Sequence, residues 1–352
     1  MRPIQKILFG SPGTGKSFKI EKKIIPEILE IREKTNIIKT VFHPEYTYGD
    51  FVGKLVPHTK AGKVEYNFYP GHFLKALSQA YKNILDAVKN GKSEYEADRV
   101  AFVIDEINRG NSAAIFGTVF QLLDRSPDGW SSYSINITEL EILAILKLIG
   151  VKFKGLADNK FEYKFPGEAH EVQDYLVFQN RVDCLKLDLE YHRISLPPNL
   201  SLIASMNTSD NSIYFMDNAF KRRWDWEFIN VEEDNQRGFV QNRVINIDGA
   251  EFNWADFVDN LNFFIRSKYR EVRKIEDKQI GYFFINEDKV TEEHIKNKLL
   301  FFIWDSVFSN NKKPLYELLE IHESELVTFG QLALQAKKFV EKVMAINDYA
   351  PI

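Results

Sequence analysis

The chain has 352 residues, 44% of them apolar, 27% charged and 14% aromatic. That is room for about two globular domains and excludes intrinsic disorder. Lys and Arg total 46 against 50 for Asp and Glu, a net charge of −4, so no overall basic field exists and any nucleic-acid contact must come from a local patch. The single cysteine, Cys184, excludes a disulfide framework and a four-thiolate metal site. It fits a reducing cytoplasm. No export signal opens the chain, and no apolar run approaches the roughly 20 residues of a membrane span. The expectation is a cytoplasmic protein with no membrane partner.

Taken in chain order, residues 4–9 (IQKILF) predict a buried strand. A helix is expected from about Lys16 to Lys34, kinked at Pro26, which has no backbone donor. Residues 37–42 predict a second strand, and the alternation in 63–69 predicts half of a hairpin. From His72 to Lys89, Phe73, Leu77, Tyr81, Ile84 and Val88 recur on one helical face. Residues 100–104 (VAFVI) form a short apolar run suited to a central parallel strand. A helix over 111–124 and a strand over 201–206 follow, with an irregular insertion or extended hairpin at about 130–195. After about residue 232 the pattern turns helical, over 254–273, 291–304 and 325–346. The expected architecture is an α/β core over 1–232, with a parallel sheet flanked by helices, and a smaller helical domain over 233–352.

The strongest motif is GSPGTGKS, Gly10 to Ser17, which fits the phosphate-loop pattern G-x-x-x-x-G-K-[ST] between a strand and a helix. Glycines let backbone amides converge on phosphate, and the helix dipole points at the same anion. Gly10, Ser11, Pro12, Gly13, Thr14, Gly15, Lys16, Ser17 and the adjoining Phe18 form the candidate nucleotide-binding set. Lys16 would neutralise the β- and γ-phosphates, and Ser17 would ligate Mg²⁺. The strand VAFVI runs into Asp105 and Glu106, candidates for holding the metal and for polarising an attacking water. Asn207, at the end of the strand SLIASM, can donate to phosphate and accept from water; the alternative is an Asn capping a turn. Arg109, Arg222 and Arg223 are candidates for stabilising transition-state charge from a neighbouring subunit. The alternative for the last two is surface pairing with acids such as Asp225.

The ordered strings GSPGTGKS, FHPEYTYGDFVG, YPGHF, VIDEINRGN, LPPNLSLIASMNTSD and DNAFKRRWDWEF resemble the McrB-type AAA+ NTPases, the motor subunits of modification-dependent restriction systems. The resemblance covers about residues 4–230 without the insertion, and Gln279 to Phe284 (QIGYFF) resembles a motif of the family's helical lid. It implies an AAA+ fold, a hexameric ring with nucleotide sites at subunit interfaces, a McrC-like nuclease partner, and DNA engaged through that complex. It makes Asn207 the sensor, supported by Asp210, and Arg109 with the Arg222–Arg223 pair the groups acting across the interface. Asn211 stands where the family usually carries an arginine. With the first core strand opening the sequence, the expectation is no separate N-terminal DNA-reading domain, so recognition of a modified base is not assigned to this polypeptide. No residue decides between ATP and GTP; the expectation leans slightly to ATP. The alternatives are a MoxR-like chaperone that remodels protein complexes and a nucleotide-gated interaction module with negligible turnover.

Other features have plainer readings. His43, His58 and His72 match no metal-ligand spacing. The aromatics of residues 42–51 are expected to pack under the sheet rather than stack on a base. Residues 266–278 carry six basic and three acidic residues, a pattern of a solvated helix face more than of a DNA-facing stripe. The basic loop 53–63 is a candidate for lining a ring pore.

Overall fold

The computed structural model describes residues 2–60, 62–155, 161–166, 171, 174–208, 214, 216–231 and 234–346. Two compact units divide the chain. The first comprises Met1–Leu8, Ser17–Met206 and Ser212–Glu227, and the second Phe9–Lys16, Asn207–Asn211 and Phe228–Ile352.

Strand β1 is Gln5–Gly10. The helix after it, α1, is regular only over Lys16–Lys19 and then widens into π turns over Ile20–Ile28. It is shorter than expected and widened rather than kinked. Pro26 lies inside the wide segment, where Leu29 N donates to the carbonyl of Ile24, and the following Glu30 takes a left-handed φ. Strand β2 is Ile37–Val41 and helix α2 is Tyr48–Phe51, opened by a Thr47–Asp50 capping box. Strands β3 (Gly53–Lys60) and β4 (Lys63–Pro70) pair as an antiparallel hairpin. The segment expected to be a basic loop is therefore largely strand.

Helix α3 (His72–Lys89) follows the expected periodicity, burying Phe73, Leu77, Tyr81 and Ile84. Val88 is the exception, 41% exposed near the helix end. Each buried side chain contributes about 1.5–3 kcal/mol against exposure. Strand β5 (Val100–Asp105) is buried along all but its last residue. Helix α4 (Ser112–Phe116) stops at Gly117 and continues as 3₁₀ turns to Leu123. Gly117 has φ +49°, and a Cβ there would meet the Tyr48 ring at 2.9 Å.

The irregular region resolves into β6 (Ile135–Asn136), α5 (Glu139–Leu148), the paired β7 (Lys152–Gly155) and β8 (Phe161–Lys164), α6 (Tyr175–Val182), and β9 (Arg193–Ile194), which pairs back on β6. Strand β10 is Leu200–Asn207, helix α7 is Asn218–Lys221, and strand β11 is Asp225–Phe228.

Among the described residues, the central sheet has the order β11-β1-β10-β5-β2. Strand β5 pairs parallel with β10 on one side and β2 on the other, with Ile104 opposite Ala204 and Thr40. Buried on both faces, it reads as a continuous apolar run because polar alternation would strand side chains in the core. The aromatics of the 42–51 segment do pack as core: Phe42 lies 4.9 Å from Tyr46, and Phe51 lies 5.2 Å from Phe73, between ring centroids.

The second unit begins its carboxy-terminal part with α8 (Asp234–Val240), β12 (Val244–Ile247) and β13 (Ala250–Asn253). Helix α9 (Trp254–Ser267) and the short α10 (Ile275–Lys278) follow, then β14 (Lys289–Thr291) and α11 (Glu292–His294). Wide π turns at Ile295–Leu300 and Ile303–Val307 lead to α12 (Lys313–Leu319), α13 (Phe329–Leu334) and α14 (Ala336–Met344). The named helical ranges left out α8 and α12, and the sequence pattern missed a small sheet of order β13-β12-β14. Its strands are three or four residues long, too short for a clear alternation. Among the described residues no helix is long and apolar enough to cross a membrane.

Candidate functional site

The second unit contains the phosphate loop. Gly13 and Gly15 take φ +76° and +78°, the left-handed region that glycine enters without steric cost. Thr14 is buried, and its hydroxyl donates to the Ser11 carbonyl at 3.0 Å. Lys16 is 7% exposed, and its ammonium donates to the carbonyls of Gly10 at 2.9 Å and Ser11 at 2.8 Å. The carbonyls of Pro12 and Gly13 accept from Gly281 N and Phe283 N, each at 2.9 Å, and the Ser11 hydroxyl donates to the carbonyl of Glu276. This binds the QIGYFF segment to the loop. A Cβ on Gly13 would overlap the backbone of Phe284, and one on Gly281 would overlap the Gly13 carbonyl. Asn207, the last residue of β10, is in the same unit, and Thr208 N donates to Gly10 O at 3.4 Å.

The first unit holds the acidic turn. Asp105 ends β5, and its Oδ1 accepts from the Ser205 hydroxyl at 2.8 Å. Ser205 Oγ also accepts from Glu106 N at 3.4 Å, and the Ser205 carbonyl accepts from Ile107 N at 3.0 Å. Ser205 thus ties the acidic pair to β10. It is a buried small polar residue in an apolar strand, and that was its only signal in the sequence. Glu106 takes φ +54°, a left-handed conformation unusual outside glycine, which turns the chain sharply off the strand. Arg109 follows in the same turn, its N–H bonded to the Glu106 carbonyl at 2.9 Å, and its side chain is exposed.

The basic triplet splits. Arg222 is exposed, whereas the Arg223 side chain is 8% exposed and occupied within its own chain. It donates to Asp124 Oδ2 at 2.6 Å and to the Ala219 carbonyl at 2.8 Å, and lies 4.6 Å from the centre of the Phe120 ring. Asp210 and Asn211 lie outside the described residues. Ser17 and Phe18 belong to the first unit, Ser17 exposed and Phe18 half-buried.

Ser17 and Asp105 offer a hydroxyl and a carboxylate, the hard oxygen donors that Mg²⁺ takes, so the donor chemistry fits that ion. Among the described residues no cluster of three or more His, Cys, Asp or Glu forms a metal site. His72 is bonded at Nδ1 to the Tyr46 hydroxyl at 2.9 Å. Burial, and then the nearby Lys75, hold its pKa below 6.5, while burial pushes the Tyr46 phenol up to about 12.

A parallel sheet whose first strand runs into a glycine loop holding a buried lysine is the arrangement of a P-loop α/β protein. No protein-family model matches the chain. It is similar to the type II restriction enzyme BsuMI component YdiS of Bacillus subtilis (strain 168), at 29% identity over 88% of this chain and 80% of that one. It is also similar to the type IV methyl-directed restriction enzyme EcoKMcrB subunit of Escherichia coli (strain K12), at 23% identity over 68% of this chain and 38% of that one. A solved putative ATPase from Cytophaga hutchinsonii aligns over 95% of this chain and 84% of its own, at 12% identity and a TM-score of 0.26. Both relatives are restriction-system components, and the similarity supports a McrB-like restriction-system family.

Proposed function

We propose that the protein is an AAA+ nucleoside triphosphatase, working as the ring-forming motor subunit of a DNA restriction complex with a McrC-like nuclease partner. The observation that carries this reading is the phosphate loop, with two left-handed glycines around a lysine that the loop's own carbonyls hold. A buried ammonium is costly unless an anion or a ring of acceptors meets it, and triphosphate supplies the anion. The similarity to YdiS and to the McrB subunit supports placing that activity in a restriction system.

In this reading the loop amides and Lys16 hold the β- and γ-phosphates. Ser17 and Asp105 hold Mg²⁺, which supplies charge neutralisation at the transferring phosphoryl group when bound. Ser205 orients Asp105 through its hydroxyl. Glu106 takes the proton of the attacking water. Asn207, with Asp210 beside it in the chain, positions that water against the terminal phosphate. Arg109 and Arg222, both exposed, serve a neighbouring subunit's nucleotide, while Arg223 braces the basic turn through Asp124. Residues 233–352 act as the lid domain. ATP is taken as the substrate ahead of GTP, and the ring as a hexamer.

The test is phosphate release from ATP and from GTP, with and without DNA, on an oligomer of defined size. Hydrolysis that rises with DNA is expected. Turnover indifferent to DNA but stimulated by a protein partner would move the chain to the chaperone class, and none in any assembly state would refute the enzyme reading. Arg109→Ala should lose most activity only when assembled, and mixing with wild-type subunits should restore part of it. Failure to restore any would count against action across the interface.

A further inference from the structure

The phosphate loop of the second unit is held by the segment Gln279–Phe284, which turns back at Gly281–Phe284 and is itself held by helix α9. The bonding alternates along the segment. The Ile280 carbonyl accepts from Asn262 Nδ2 at 2.8 Å, and the other end of that same peptide, Gly281 N–H, donates to the Pro12 carbonyl at 2.9 Å. Two residues on, the Tyr282 carbonyl accepts from the Trp254 indole N–H at 2.8 Å, and that peptide's Phe283 N–H donates to the Gly13 carbonyl at 2.9 Å. Asn262 also accepts from Ile280 N at 2.9 Å, so its amide takes the place of a neighbouring strand. Trp254 and Asn262 are both buried.

The chain has no cis peptide bond among the described residues, and in a planar trans peptide the carbonyl and the N–H point in opposite directions. The lid's hold on the Pro12 carbonyl therefore aims the Gly13 N–H away from the lid. Its hold on the Gly13 carbonyl does the same for Thr14 N–H. These are amides of the phosphate-cradling loop.

We propose that Asn262 and Trp254 are positioning residues for phosphate binding. Each heads a hydrogen-bond relay that passes through one lid peptide and one loop peptide and ends on an amide aimed at the anion. One relay runs from Asn262 through the Ile280–Gly281 and Pro12–Gly13 peptides. The other runs from Trp254 through the Tyr282–Phe283 and Gly13–Thr14 peptides. Hydrogen bonds in a chain polarise one another, so the relay strengthens the terminal donor as well as orienting it. Gly281 is required because any side chain there would push the lid segment off the Gly13 carbonyl. The inference rests on the nucleotide reading above, since it takes a triphosphate as the anion.

The experiment is titration calorimetry of the full chain with a non-hydrolysable ATP analogue and, separately, with inorganic tripolyphosphate. Trp254→Phe keeps an aromatic ring and removes one N–H. It should weaken both ligands by the same factor, about three- to tenfold, the worth of one neutral hydrogen bond. Asn262→Leu should act likewise through the other relay, and Gly281→Ala should exceed either. Each variant is compared after thermal melting shows that it is folded, and Gly281→Ala carries the test if a core variant is not. Weakening of the ATP analogue alone, with tripolyphosphate unaffected, would overturn the proposal, because the lid would then be serving the nucleoside. Unchanged affinity for both would also overturn it. Wild-type protein that binds neither ligand would instead refute the nucleotide reading itself.

Discussion

The turns that follow β1 and β5 solve opposite problems with the same backbone conformation. After β1 the left-handed positions are Gly13 and Gly15, where φ +76° and +78° cost nothing and the absent side chains let the backbone approach a ligand. After β5 the left-handed position is Glu106 at φ +54°, where the conformation is strained and a side chain is presented instead. In the proposed function one turn offers amides and the other a carboxylate. On that reading, strain is tolerated where a side chain must be aimed and avoided where the backbone itself meets the ligand. The anchors differ accordingly. Ser205 holds the acidic turn through its hydroxyl and its carbonyl, whereas the glycine loop is held by backbone bonds from Gly281 and Phe283 and by the Ser11 hydroxyl on the Glu276 carbonyl.

The most forceful way to break this comparison is Glu106→Gln. Turnover should fall about 10²–10⁴-fold, the usual worth of a general base, while nucleotide affinity measured by calorimetry stays near wild type. Undiminished turnover would remove the reason for the strained turn. A paired exchange sharpens the contrast. Gly13→Ala should abolish nucleotide binding and destabilise the fold by about 1–3 kcal/mol, because the position is left-handed and a Cβ would strike the Phe284 backbone. Glu106→Gly should stabilise the fold by up to about 1 kcal/mol, relief of strain being partly offset by the flexibility of glycine in the unfolded chain. It should nonetheless be inactive. Denaturant melts read both, and the same sign for the two would defeat the comparison.

Smaller effects test the residues around the two turns. Arg223→Ala should cost about 2–3 kcal/mol, below the 3–5 of a fully buried pair, because Asp124 is 31% exposed. Arg222→Ala should stay within about 0.5 kcal/mol. Equal losses would show that the two arginines are not divided between bracing and display. The smallest effect concerns His72. Its folded pKa lies below 6.5, so the folded state favours the neutral ring more than the unfolded chain does. Its stabilising contribution is present above pH 6.5 and lost as pH falls from there through the lowered value. The melting temperature should decline over that range, and His72→Gln should flatten the decline.

Much of the fold was legible because its signals are local. The run VAFVI reads as a strand because a parallel strand buried on both faces admits no polar alternation. Helix α3 reads at its observed limits because its apolar positions repeat at helical spacing over many turns. The helix after the phosphate loop was overextended in the reading because Pro26 is absorbed into π turns, which no periodicity of side chains announces. The small sheet of the second unit was missed because its strands are too short to show alternation.

The candidate site divides along the same line. The sequence alone marked the glycine loop and the acidic turn as candidates, and determined their local backbone, since glycine's conformational freedom and the end of an apolar run belong to neighbouring residues. Only the tertiary structure separated Arg222 from Arg223, which are adjacent and chemically identical, because Asp124, 99 residues away, meets just one of them. Only the tertiary structure gave Trp254 and Asn262 their partners, because a buried Trp or Asn on a helix reads as ordinary core until the distant peptide that accepts its N–H is in place.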